Sequence, residues 1–440
     1  MPKQSEIAPT STDDSEDLAR SFQKVRARTE LLSAPLSAED QSIQSMPDVS
    51  PTKWHRAHTS WFFETFVLRP FCSDYQVFHS DYELLFNSYY NGVGRQFPRE
   101  RRGLISRPGA AQIGDYREAV DRALLGLITE LDARSDAVEV RTLIELGLHH
   151  EQQHQELLLT DIKHVLWSNP LRPAYRVRPH PPLCKVQDAG ELHASHSFIT
   201  IPGGVIEVGH EGPSFHFDNE GPRHQTILRG YQLARAPLTN ADTLTFIHAG
   251  GYDDPLLWLS DGWTFRKAHS LRHPMYWINA GDGRFEHFTL HGIQPIDPQA
   301  TACHLTYFEA DAMARFFGAR LPTEQEWEHA ANLYNPPSPS FDLDNLCPRS
   351  PMRDASELKQ LLSGVWEWTK SPYVAYPGYE TPAGAVGEYN GKFMHNQMVL
   401  RGGSCLTPEG HTRRTYRNFF PGSSQWQCSG VRLARESADR

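Results

Sequence analysis

The chain has 440 residues, 39% of them hydrophobic and 22% charged, which fits a soluble globular protein of two or three domains. Lys and Arg total 43 against 53 Asp and Glu, and the net charge of -10 argues against a general nucleic-acid binder, which carries a basic excess. No run of 18 apolar residues is present, so no membrane-spanning helix is expected.

The N-terminal stretch MPKQSEIAPTSTDDSED is polar and acidic and lacks the basic-then-apolar order of a signal peptide, which predicts a cytoplasmic protein. Residues 1–16 have few apolar anchors and are expected to form a disordered tail. From 17 to 168 apolar residues recur at three and four positions. They do so in DLARSFQKVRARTELLSAPL, YREAVDRALLGLITEL and VRTLIELGLHHEQQHQELLLTDIKHVLW, the pattern of amphipathic helices. A further helix is predicted to start at Ser50-Pro51, an N-cap followed by proline at the first helical position, and to run through KWHRAHTSWFFETFVL. Four helices with long connections predict a bundle over 17–168. Residues 169–196 are Pro-rich and aperiodic, as an interdomain linker would be. From 197 to 440, short alternating strands (SFITIPGG, VIEVG) among many Gly, Pro and aromatic residues predict irregular α+β structure. Thr323 with Glu326 marks one helix start there as a capping box.

No internal repeat, phosphate-binding loop or dinucleotide fingerprint is visible. The six cysteines (Cys72, Cys184, Cys303, Cys347, Cys405 and Cys428) form no Cys-x-x-Cys pair, so neither a zinc knuckle nor a disulfide scaffold is expected.

The sharpest local signal is His150-Glu151-Gln152-Gln153-His154. Histidines four apart on a helix stand one above the other on one face, so both rings can reach one metal. The pair interrupts an apolar stripe (Leu143, Gly147, Leu157, Leu158), where unpartnered imidazoles would be costly. His58 lies one turn after Trp54 and one turn before Phe62, on the apolar face of its helix, and is a better third ligand than His55, which reads as solvated or as support. His149 is about 100° off the face of the pair, and His164 is nearly three turns beyond His154. The spacing also spells the zinc-protease motif with Glu151 as base, but the position where a metzincin places its third ligand holds Thr160. Three neutral imidazoles with open positions suit zinc, iron, copper or nickel, and spacing alone does not choose among them.

Taken together, these segments resemble the ergothioneine-biosynthesis sulfoxide synthases of the EgtB type. SPTKWHRAHTSWFFETFVL and HHEQQHQE look like their DinB-like four-helix bundle. The C-terminal half looks like their formylglycine-generating-enzyme-like (sulfatase-modifying-factor) domain. The matching segments include Asn219-Glu220-Gly221-Pro222, PLTN at 237–240, LPTEQEWE at 321–328, GVWEWT at 364–369, LRGGS at 400–404 and SGVRLAR at 429–435. The resemblance implies an α+β multidomain fold: a DinB-like bundle over 17–168, a linker, and an irregular sulfatase-modifying-factor-like (C-type-lectin-like) domain over 197–440.

The resemblance further implies Fe(II) held by His58, His150 and His154, with O2 as co-substrate. The reaction would join C2 of the hercynine imidazole to the sulfur of L-cysteine as a sulfoxide. Such chemistry needs a proton or electron donor near the metal, and Tyr89 and Tyr90 match the tyrosine pair of one branch of the family. Among the five arginines of RQFPRERRGLISR, Arg99 and Arg102 are implied to bind the carboxylate of the thiol substrate, and Gln153, one residue before the ligand His154, is expected to point near the metal and hydrogen-bond the substrate imidazole or carboxylate. In TYRNFFPGSSQWQ, Asn418 would hold the betaine end of hercynine, with Phe419 and Phe420 lining the pocket. Phe420 stands where the γ-glutamylcysteine-using branch tends to carry an acidic residue, which favours free L-cysteine. γ-Glutamylcysteine, or histidine in place of hercynine, are the alternatives.

The formylglycine-generating enzymes carry two cysteines after the Arg-Gly-Gly-Ser turn. Here Thr407 and Thr415 occupy those positions and Cys405 reads as alone. Two readings from other classes are a zinc hydrolase using Glu151 and a non-catalytic ligand-binding module. No nucleic-acid or membrane partner is expected.

Overall fold

Three-and-four spacing of apolar residues winds the N-terminal unit into helices. The computed structural model describes residues 12–177, 194–337, 339–351, 354 and 356–437. The chain divides into two units, Met1–Leu158 and Leu159–Arg440. The helices are α1 (Thr12–Ser33), α2 (Thr52–Phe63), α3 (Arg69–Phe71), α4 (Tyr82–Phe86), α5 (Ala110–Glu130) and α6 (Ala137–Ser168). α1, α2, α5 and α6 are the four long helices of the expected bundle, and α2 continues through a π turn, Glu64–Leu68, into α3. All twelve residues of α2 are buried. α6 lies close against α2 because Gly147 has no side chain: a Cβ there would come within 2.3 Å of the Phe63 ring.

Two boundaries differ from the sequence expectation. α1 begins at Thr12, inside the stretch read as a tail, whose residues 1–11 lie outside the described residues. α2 begins at Thr52 with Pro51 at the N-cap, and the Ser50 hydroxyl accepts a hydrogen bond from Arg102 Nη1 at 2.9 Å.

Among the described residues, the second unit contains four small sheets. Its strands are β1 (Phe198–Ile201), β2 (Gly204–Val208), β3 (His224–Leu228), β4 (Tyr231–Ala234), β5 (Trp277–Gly281), β6 (Arg284–Thr289), β7 (Gly292–Pro295), β8 (Trp366–Pro372), β9 (Met398–Gly402), β10 (Asn418–Phe420), β11 (Ser429–Gly430) and β12 (Ala434–Glu436). They pair in the orders β1-β4-β12, β10-β9-β8-β11, β2-β3 and β5-β6-β7. Helices α7 (Asn240–His248), α8 (Ser260–Ala268), α9 (Tyr307–Phe316) and α10 (Glu324–Tyr334) complete the unit. α10 starts at the capping box read from the sequence: Glu326 N donates to Thr323 Oγ1 at 3.1 Å, and Thr323 N donates to Glu326 Oε2 at 2.8 Å. Part of the expected linker belongs to this unit, since Tyr175 is buried and Arg176 N donates to Leu290 O at 3.0 Å. Residues 178–193 of that linker lie outside the described residues.

The motifs of the second half meet as buried or half-buried ion pairs. Arg417 Nε lies 2.8 Å from Glu324, Arg432 Nη2 lies 2.6 Å from Glu367, and Arg413 Nη2 lies 2.6 Å from Glu220. Arg401 pairs with Glu328, both fully buried. LPTEQEWE, GVWEWT, LRGGS and SGVRLAR thus hold one another together. Removing one partner from such a pair leaves an uncompensated charge and costs about 3–5 kcal/mol.

Candidate metal centre

α2 delivers His58, and α6 delivers His150 and His154 from one face. A ligand atom from each lies within 4.8 Å of the other two. The ring centroids are 4.9 Å apart for His58 and His150, 4.7 Å for His58 and His154, and 4.6 Å for His150 and His154. His58 Nδ1 donates to the Phe86 carbonyl at 2.6 Å. That fixes the tautomer and leaves Nε2 as a lone pair. This Nε2 is buried without a hydrogen-bond partner, as expected of an atom built to ligate. Trp54 and Trp61 stack on the His58 ring at 4.6 and 5.4 Å. His154 Nδ1 is 2.8 Å from His55 Nδ1. With His154 Nε2 as the ligand, His154 Nδ1–H donates and His55 accepts.

Burial pushes all three imidazoles below their ordinary pKa, His150 to about 3. For His58 and His154 the neighbouring rings and the Arg102 charge act in the same direction. Neutral imidazole is the form that binds a metal. Three nitrogen donors, one of them orphaned, fit a divalent transition metal with coordination positions left open.

Glu151 takes no part in this centre. It is fully buried, and its oxygens accept from Thr29 Oγ1 at 2.6 Å, Arg117 Nη2 at 2.9 Å and Arg26 Nη1 at 2.7 Å. Burial alone would raise its pKa, but Arg26 and Arg117 outweigh it and hold the carboxyl at about 2. One residue along a helix is a turn of about 100°, so Glu151 faces α1 and α5 while its histidine neighbour faces α2. The expectation of Glu151 as a hydrolytic base is corrected on this ground: its lone pairs are already committed to two guanidinium groups and a hydroxyl.

The remaining residues singled out in the first unit divide. Arg102 is buried with its guanidinium 3.4 Å over the Trp54 ring, the same ring that stacks on His58. Arg99 is exposed and donates to the Asp48 carbonyl. Tyr90 is buried, its ring 5.5 Å from Trp61 and 5.1 Å from Phe66, and half-buried Tyr89 stacks on it at 4.7 Å. Gln153 is half-buried on α6. In the second unit Asn418, Phe419 and Phe420 form β10, all half-buried. Phe419 stacks on Tyr373 at 4.0 Å, and Phe420 meets Trp426 edge-on at 5.7 Å. Asn418 Oδ1 accepts from Phe419 N at 2.9 Å.

The cysteine expectation needs correction. Cys405 is not isolated: its thiol interacts electrostatically with those of Cys428 and Cys303. Nothing in the spacing signals this, because the three come from segments far apart in the chain.

Two family models match in succession, the DinB superfamily over residues 21–158 and the sulfatase-modifying factor enzyme 1-like domain over residues 186–335. The chain is 31% identical over 392 residues to the hercynine oxygenase of Mycolicibacterium smegmatis, covering 76% of this chain and 86% of that relative. The chain belongs to the hercynine oxygenase family. A second hercynine oxygenase, from Mycolicibacterium thermoresistibile, is 28% identical over 95% of this chain and 94% of its own length. The ergothioneine biosynthesis protein 1 of Schizosaccharomyces pombe is 25% identical over 50% of this chain and 28% of its own length. This member of the hercynine oxygenase family is thus an EgtB-type enzyme of ergothioneine biosynthesis. It has a helical DinB-like unit followed by a sheet-containing sulfatase-modifying-factor unit. Among the described residues, no helix is long and apolar enough to cross a membrane.

Proposed function

We propose that this enzyme is an Fe(II)- and O2-dependent sulfoxide synthase that joins hercynine to L-cysteine. The observation that carries the reading is the convergence of three neutral imidazoles, His58, His150 and His154, with the neighbouring carboxylate of Glu151 withdrawn into an arginine network. The balance is complete: the imidazole C2–H and the thiol S–H are lost, C–S and S–O bonds form, and the second oxygen atom leaves as water. Bound iron supplies O2 activation and open positions where a thiolate and an imidazole can be held.

The chain's own residues do the rest. Buried Arg102, fixed by the Trp54 face and by Ser50, presents a charge that pairs with the carboxylate of the thiol substrate. Arg99, turned to the Asp48 carbonyl, would reach that carboxylate only by changing partner. Gln153, next to the ligand His154, hydrogen-bonds the imidazole substrate. Tyr90, packed against the Trp61 ring that stacks on His58, is the better placed of the two tyrosines to deliver a proton, with Tyr89 as its stacked support. In the second unit Asn418 and the aromatic faces of Phe419 and Phe420 hold the trimethylammonium end, which offers no hydrogen-bond donor.

The test is O2 consumption by metal-loaded protein with hercynine and each thiol, with product masses read in parallel. Uptake that requires Fe(II), hercynine and a thiol together, and yields the sulfoxide mass, supports the reading. Product formed without O2, or with zinc in place of iron, contradicts it.

A further inference from the structure

A second group of metal-binding side chains lies in the second unit. A cavity of about 20 Å³ there is lined by Lys163, Tyr276, His287, Cys303, His304 and Cys347 among others, and among the described residues no Asp or Glu lines it. That volume holds one water or one ion. Cys303, His304 and Cys428 are all buried, and a ligand atom from each lies within 4.8 Å of the other two. The Cys405 thiol interacts electrostatically with those of Cys428 and Cys303.

Backbone pairing explains why distant segments meet. Leu305 N donates to Ser429 O at 3.2 Å, Trp366 N to Cys428 O at 2.9 Å, and Cys405 N to Gly364 O at 3.0 Å. His304 adopts a left-handed backbone, with φ of 65°. Side-chain-bearing residues avoid that region unless the surroundings impose it.

We propose that Cys303, His304 and Cys428 form a second metal site, closed to solvent and suited to a thiophilic cation, Zn(II) or Cu(I), with Cys405 as a further sulfur in reach. Hard cations need oxygen ligands, and the cavity offers no carboxylate; sulfur and imidazole donors select soft or borderline ions. Charge balance agrees. Two thiolates on Cu(I), or three on Zn(II), leave one negative charge. Lys163, whose Nζ is 2.7 Å from His304 Nε2 in the metal-free chain, brings one positive charge to the same place, and on binding its hydrogen bond to that ring is given up so that His304 offers its lone pair to the metal. On binding, each ligating thiol gives its proton to solvent and no electron moves. The alternative is that the thiols simply fill apolar space, as buried cysteines often do. This inference does not depend on the oxygenase reading, because no ligand is shared with the imidazole triad.

The test uses full-length protein stripped of metal under argon and titrated with Zn(II) alone or Cu(I) alone, beside Cys303→Ser and Cys428→Ser variants. The unmodified chain should bind one more equivalent than either variant. Metal-edge X-ray absorption of the unmodified chain should show that equivalent with at least two sulfur neighbours at about 2.3 Å. Cys405→Ser should weaken Zn(II) at least tenfold and leave Cu(I) within twofold. The absorption spectrum needs no variant, so it decides even if a serine variant fails to fold. Only nitrogen and oxygen neighbours for every bound ion, equal stoichiometry in folded variants, or a Cys303–Cys428 disulfide in protein isolated without reductant would each overturn the site.

Discussion

In the first unit, three imidazoles come from two helices and are held from behind by a carbonyl and a further imidazole. In the second unit, two thiols and an imidazole come from loop segments more than a hundred residues apart. Both groups are within ligating reach of a single ion, yet they are organised for different tasks. In the triad His58 donates from Nδ1 and keeps a lone pair on Nε2, and coordination positions are left open. The thiol group is buried, beside a cavity whose described lining holds no Asp or Glu, and is accompanied by a lysine. Open sites turn over substrates and closed ones hold structure. The same fold can house both because each is assembled within its own unit.

The sharpest way to break this comparison is to remove a ligand from each group. His58→Ala, His150→Ala or His154→Ala should abolish iron binding and reduce turnover to background, measured by iron content and O2 uptake. Cys303→Ser should leave the iron content unchanged. Full iron occupancy in any of the three alanine variants would end the assignment of that histidine.

Next in size is Glu151→Gln. It leaves Arg26 and Arg117 facing a neutral amide, and the loss should be about 3–5 kcal/mol in denaturant unfolding, with iron still bound in the folded fraction. A hydrolytic base would show the reverse, lost activity at unchanged stability. The pH dependence follows with its sign. The folded carboxyl sits at about 2, below its ordinary value. Its contribution is therefore fully present above the ordinary carboxylate range and disappears as pH falls toward 2. A shallower acid limb of the stability curve in the Gln variant than in the parent is the expected result.

A smaller effect is expected at His55, which acts through His154. His55→Ala should weaken Fe(II) binding about 10–100-fold, read by metal titration independently of turnover. His55→Gln, which keeps an acceptor near His154 Nδ1, should restore part of it. Equal affinity in parent and Ala variant would reduce His55 to packing. Smallest is Phe420→Asp, which should move the ratio of kcat/KM for γ-glutamylcysteine over cysteine upward by roughly tenfold, the order of one charge-assisted hydrogen bond. An unchanged ratio would remove the case for free cysteine built on Phe420.

Much of this was legible in the chain because it is encoded locally. His150 and His154 declare a shared face by helix arithmetic alone, and His58 stands out between Trp54 and Phe62 on an apolar stripe. The capping box at Thr323 and Glu326 is likewise a short-range signal. What was illegible is non-local. The turning of Glu151 toward Arg26 and Arg117 depends on which helix packs on which side of α6. Cys303, Cys405 and Cys428 meet only after strand pairing places their segments side by side, and no spacing rule reports that. The motifs of the second half carry arginines and glutamates whose pairing no spacing reports: four such pairs are internal ties. Helix starts slipped for a simpler reason: Ser50 bonds Arg102, and α2 opens one residue later than Pro51 suggested.

Iron-edge X-ray absorption of the full chain loaded with one equivalent of Fe(II) is the most direct test of the imidazole triad as the redox centre. The spectrum should show histidine nitrogens and no sulfur, with one sulfur neighbour appearing only when the thiol substrate is added. Sulfur around the iron before any thiol is present would put the metal in the wrong cluster and contradict the proposal.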